Sequence, residues 1–280
     1  RIDFPLEIEA ELRGSILLKT SLHEARPFLV DIGLTTFDET SPLSFYVGNE
    51  DFREEFIVEV NATDYAVLHK SGSIISIVVG RRREMSLVEF FRENPPTIWF
   101  VDGSSLEGNL LVKLKESTPV TFPISSIMPW DWNGTNIRKE SQKLSKDRKS
   151  IQYRLIAELK SSNQYTIIFD DDGAGEVADV IAIKEDDTNK KLLVEFYHCK
   201  FSGGAQAGSR VDDLYVVCGQ AEKCIKWISD ARILVERLKM RESDRIGKSR
   251  PSRFEAGDNK GLFTIKNKLK LYSVEYRVFI

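Results

Sequence analysis

Near the end of the apolar run LLVEFYHCK the chain carries His198 and Lys200, and the preceding apolar run, EVADVIAI, carries Asp179. A carboxylate, an imidazole and an ammonium on two neighbouring strands are groups that can hold a divalent cation beside a phosphate. A carboxylate inside an apolar strand is costly unless it is paired or binds a cation. Alternation puts Val194, Phe196, His198 and Lys200 on one face of the later strand, and Leu193, Glu195, Tyr197 and Cys199 on the other. Asp179 shares its face with Val177, Ile181 and Ile183, while Glu176 falls on the opposite one. Just upstream, Asp170, Asp171 and Asp172 crowd a strand end at FDDDG. A divalent cation would relieve their repulsion, and a solvated turn is the bland alternative.

These residues need a frame. From residue 146 onward the expected order is helix, three strands, helix, strand. SIQYRLIAELKS spaces Ile151, Leu155, Ile156 and Leu159 as an amphipathic helix. YTIIFD, EVADVIAIK and KLLVEFYHCK read as strands, the last two joined through a hairpin at EDDTNK. VDDLYVVCGQAEKCIKWI begins a long helix expected to continue through DARILVERLKMRES. RIGKSRPSRFEAGDNKG reads as a basic, mobile stretch, and LYSVEYRVFI as a closing strand. Residues 1–128 hold short strand-like runs (SILLKT, FLVDIGL, EEFIVEV, SIISIVV, TIWFVD, NLLVKL) and one helix at SLVEFFREN. That is a β-rich domain, either a barrel or a sandwich. Residues 129–145 read as a linker.

The region 146–280, about half the chain, resembles the PD-(D/E)xK nuclease superfamily. The resemblance implies an α/β (α+β) chain in which the β-rich domain precedes a restriction-endonuclease-like αβββαβ domain. In that family the second core strand carries an Asp, here Asp179, and the third ends in (D/E)-x-K, here His198-Cys199-Lys200. By resemblance, Asp179 binds Mg²⁺ or Mn²⁺, and Lys200 positions or deprotonates the attacking water. The departure is His198, where the family has an acid. Three readings stay open: His198 is a ligand in a variant site that favours Mn²⁺; Glu195 swings in to replace the lost carboxylate; or the site is inactive. Glu158, in the helix before the first strand, matches an extra acidic ligand of some relatives. Asp213 and Gln220, two turns apart on a helix, match a helical Gln near some active sites. The implied function is metal-dependent hydrolysis of DNA phosphodiester bonds, with an inactive nuclease-fold module that binds DNA or a partner protein as the alternative. More loosely, the layout resembles C-terminal regions of large bacterial helicase-like defence proteins, which implies a helicase or ATPase domain or subunit as partner.

Three basic regions are candidates for nucleic acid. Arg138 to Arg154 carries seven Lys or Arg against two acidic residues, with Lys146, Arg148 and Lys149 at its centre. It reads either as a solvated face or as a strip along phosphates. Residues 232–253 carry eight against three. The loop GGAQAGSR has Walker A glycine spacing, yet Ser209 and Arg210 stand where Lys and Ser or Thr are required. Nucleotide hydrolysis is therefore not expected, although Ser209 and Arg210 at a helix start suit a phosphate.

The totals narrow the class. The 280 residues are 41% hydrophobic and 30% charged, with a formal net charge of -3. No global basic field announces nucleic acid, so any such partner is met by local patches. Three cysteines with no C-x-x-C pair argue for reduced thiols in the cytoplasm and against structural zinc. No apolar run reaches membrane-spanning length. A chain that opens on Arg1 and closes on a strand is expected to be a piece of something longer.

Overall fold

The computed structural model describes residues 1–5, 8, 15–36, 41–80, 83–100, 102–113, 123–201, 203, 211–228 and 230–280. The chain divides into two compact units, Arg1–Ile127 and Met128–Ile280. The class is mixed α/β with mainly antiparallel sheets. Among the described residues no helix is long and apolar enough to cross a membrane.

Among the described residues the first unit contains three four-stranded sheets around one apolar cluster. Strands form in each of the six runs read from the sequence, at Ile16–Lys19, Asp31–Leu34, Arg53–Val60, Ser76–Val79, Thr97–Trp99 and Leu110–Val112. The helix Leu87–Glu93 starts with a capping box between Ser86 and Glu89. That box satisfies two amide groups that a helix start otherwise leaves open. Its Phe91 packs edge-on against Phe45 and Phe56, with centroids 5.5 and 5.6 Å away. Tyr65–Gly72 also forms a strand, and its exposed second half explains why no apolar run marked it.

The second unit is a five-stranded sheet covered on both faces. Its elements are α1 (Ile151–Ser161), β1 (Ile167–Asp170), β2 (Val180–Asp186), β3 (Lys191–Tyr197), α2 (Val211–Lys223), α3 (Ile225–Ile228), α4 (Ala231–Gly247), β4 (Phe254–Ala256), α5 (Asn259–Lys268) and β5 (Ser273–Phe279). The sheet order is β4-β1-β2-β3-β5. β1, β2 and β3 form an antiparallel meander, and β5 joins β3 in parallel. β1 is buried along its whole length, which is why it reads as a continuous apolar run rather than an alternating one. One face, with Ile168, Val180 and Ala182, packs on Leu155 and Ile156 of α1. The other, with Phe169, Ile181 and Phe196, packs on Leu234 and Leu238 of α4 and Leu262 of α5. Ser150 caps α1 by accepting from the Tyr153 N–H at 3.1 Å.

Three expectations need correction here. Residues 129–145 are not a free linker: they lie in the second unit, and Gln142 is buried there. The long helix expected from residue 211 is broken into α2, α3 and α4, and Asp230 caps the start of α4 by accepting from the Arg232 N–H. The stretch expected to be mobile holds buried Arg253, strand β4 and the start of α5, which Asp258 caps.

Candidate metal centre

The ladder between β1 and β2 ends at Asp170–Val180, and that between β2 and β3 ends at Val180–Tyr197. One step beyond, Asp179 and His198 therefore come opposite each other. Asp179 precedes β2 rather than lying inside it. Its carbonyl accepts from the Asp171 N–H at 3.1 Å, and its Oδ2 accepts from the Cys199 N–H at 2.9 Å. Between β1 and β2 the chain turns back on Gly173 (φ 110°) and Gly175 (φ 73°), backbone that side chains resist. The turn brings Asp172 and Glu176 beside Asp179, and one ligand atom from each of the three lies within 4.8 Å of the others.

The Asp170-Asp171-Asp172 run is split three ways. Asp170 accepts from Gln142 at 2.9 Å and Gln152 at 3.0 Å, and Lys146 approaches it at 3.4 Å. Asp171 forms a fully buried ion pair with Arg241 and accepts from the Val177 N–H at 2.8 Å. Only Asp172 joins the cluster, where Ser141 donates to it. The basic residues of 232–253 are thus partly spent inside the protein. Arg241 and Arg253 donate to backbone carbonyls of this turn: Arg241 to those of Asp171 and Ala174, Arg253 to those of Asp170 and Asp172.

Burial, with a lesser push from the charges of Asp172 and Glu140, raises the Asp179 carboxyl to about 8, while the Cys199 N–H opposes the rise. Burial also raises Asp172, reinforced by Asp170 and Glu140 and opposed by Ser141. Two like charges about 4.8 Å apart repel by roughly 3 kcal/mol at an effective dielectric of about 20. Three such pairs make the fully ionised cluster unfavourable unless protons or a cation offset it. The donor set suits a hard cation: all three groups offer oxygen, and ligands across an ion at roughly 2.1–2.4 Å sit about 4.2–4.8 Å apart.

The structure distributes the sequence-read candidates as follows. Lys200 reaches Glu140 Oε2 at 3.4 Å and lies over the Phe201 ring at 4.3 Å. His198, expected as a ligand, is outside the three-carboxylate group: its Nε2 meets Cys224 Sγ at 3.0 Å and its Nδ1 faces Asp179 Oδ2 at 3.9 Å. Glu195 does not swing in. It accepts from the Tyr165 and Tyr197 hydroxyls at 2.6 and 2.8 Å, on the opposite face of β3 from Phe196 and His198. Glu158 is half-exposed and pairs with Arg154 at 3.4 Å, so it is not part of the cluster. Lys146 is committed to Glu255 and Asp170, whereas Arg148 and Lys149 are exposed. Gln220 is half-buried on α2. Ser209, Arg210 and the side chain of Asp213 lie outside the described residues.

Sequence reasoning missed Glu140, which stands in a charged run with nothing to distinguish it. It treated Glu176 as facing away, because it continued strand alternation into what is a turn. Nothing in the sequence marked Cys224 as a neighbour of His198. No family model matches this chain, and neither does any characterised protein or solved structure.

Proposed function

We propose that the unit Met128–Ile280 is a metal-dependent nuclease that hydrolyses DNA phosphodiester bonds. One observation carries this reading: three carboxylates, those of Asp172, Glu176 and Asp179, converge within 4.8 Å at one end of the β1–β2–β3 meander, and Lys200 pairs with Glu140, whose charge acts on Asp179. With β4 and α5 as additions before the last strand, the order of α1, the meander, α2 to α4 and the parallel strand β5 resembles the PD-(D/E)xK core and supports the same reading.

Asp172, Glu176 and Asp179 would hold Mg²⁺ or Mn²⁺. The bound ion would supply polarisation of the phosphodiester and an acidified water. Lys200 offsets the negative charge that develops on the phosphate. Glu140 holds the ammonium in place, and an incoming phosphate oxygen can take over that contact. Arg148 and Lys149 provide exposed charge for the DNA backbone. The first unit then binds nucleic acid or a partner protein, and a helicase or ATPase domain or subunit of a DNA-processing or antiviral defence system fits as partner. Cys199, Cys218 and Cys224, none of them in a disulfide, suit a reducing cytoplasm.

The test is incubation of the full chain with supercoiled and linear DNA and either ion. Cleavage that needs the ion and falls at least about a hundredfold in Lys200→Ala and Asp179→Asn supports the proposal. The engagement of Lys200 by Glu140 favours a second reading, a nuclease-fold module that binds DNA without cutting it. Salt-sensitive DNA binding with no cleavage in either ion selects that reading. In both, Arg148→Ala with Lys149→Ala lowers the salt slope of binding by about 2.

A further inference from the structure

His198 stands where the family resemblance asks for an acidic ligand, yet its ring is held elsewhere. The side chain is 2% exposed, between Cys224 and Asp179. Cys224 follows α2, and its thiol donates to the Val177 carbonyl at 3.2 Å. The contacts therefore run from Val177 through Cys224 and His198 back to Asp179, closing on one short segment that carries a cluster carboxylate. An acid at position 198 would repel Asp179. An imidazole nitrogen can accept from a carboxylic acid or, as N–H, donate to a carboxylate. With the thiol proton on the Val177 carbonyl, Sγ accepts from Nε2–H, which leaves Nδ1 a lone pair in the neutral ring and an N–H in the imidazolium. The Cys199 N–H fixes the same Asp179 oxygen from the adjoining residue.

We propose that His198 is a positioning residue, braced by Cys224, that orients Asp179 for the cation without ligating it. The proposal rests on the metal-binding part of the function proposed above. A group that orients a ligand affects metal affinity by roughly ten- to a hundredfold. It acts through the geometry of the carboxylate, so it acts alike on Mg²⁺ and Mn²⁺. A direct imidazole ligand would favour Mn²⁺ selectively.

The experiment uses the full chain without DNA. Mn²⁺ binding is followed by the paramagnetic resonance of the free ion, Mg²⁺ binding by competition, and folding by the thermal midpoint. His198→Gln keeps an amide near Cys224 and removes the group facing Asp179. His198→Asn keeps an amide facing Asp179. The Gln variant is expected to bind both ions roughly ten- to a hundredfold more weakly, in the same ratio, and the Asn variant to recover most of that loss. Cys224→Ala is expected to fall between wild type and the Gln variant, and it carries the test if the Gln variant does not fold. Loss of Mn²⁺ preference, unchanged affinity in folded His198→Gln, or a wild-type chain that binds neither ion would each overturn the proposal. Wild-type chain that binds the ions but leaves DNA intact would instead overturn only the nuclease reading.

Discussion

Asp179 sits at the end of a strand with its carboxyl buried, and its protonation would link folding to the proposed cation. Its carboxyl rises from 3.8 to about 8 in the folded chain, chiefly through burial. Between those values the folded chain holds a proton that the unfolded chain has lost. The group's contribution to stability is therefore fully present at about pH 4, declines as pH rises, and is gone above about pH 8. The proposed cation would replace that proton, so Mn²⁺ should bind more tightly as pH approaches 8 and should release a proton below it. Urea unfolding at about pH 5.5 and about pH 8, with and without Mn²⁺, checks both signs. Asp179→Asn should flatten the pH slope and remove the stabilisation by Mn²⁺.

The cluster depends on a turn between β1 and β2 that two arginines hold by its carbonyls. Arg241, from α4, is 0% exposed and paired with an equally buried Asp171. Removing one member of such a pair leaves an uncompensated buried charge, which costs about 3–5 kcal/mol. Arg241→Met should lower the urea-unfolding stability of the second unit by that amount, and adding Asp171→Asn should restore part of it. Arg148→Ala, on an exposed side chain, should change stability by less than about 0.5 kcal/mol. Strands β1, β2 and β3 were legible because they are largely buried on both faces and so appear as apolar runs, whereas the short, half-buried β4 was not. The break before α4 was not, because apolar residues continue through it at helical spacing. The arginines read as a solvated basic stretch because charge count says nothing about which side chains find buried carbonyls.

At the scale of the molecule, the boundary between units decides what can fold and bind alone. Residues 128–280 keep Glu140, Ser141 and Gln142, and Gln142 joins the edge of the sheet to α1 by bonds to Asp170, Glu255 and Gln152. A fragment of residues 128–280 should fold independently and bind Mn²⁺ as the full chain does. A fragment starting at residue 146, past the segment read as a linker, should lose Gln142, one of the donors to Asp170, and Ser141, the donor to Asp172. It should unfold at lower urea and bind the ion at least about tenfold more weakly. Circular dichroism and Mn²⁺ titration of the two fragments separate these outcomes.

The sequence by itself determined the two-part organisation, most strands, the helix α1 and the placement of Asp179 and His198 at adjoining ends of neighbouring strands. Those features are local: burial on one or two faces imposes a period that can be read along the chain. Tertiary structure decided which of three adjacent aspartates joins the cluster, which acids accompany it, and whether an imidazole faces an ion or a thiol. Those choices depend on side chains far apart in the chain, such as Arg241 and Asp171 or Cys224 and His198, and the neutralising partner that burial demands leaves no periodic mark in the sequence.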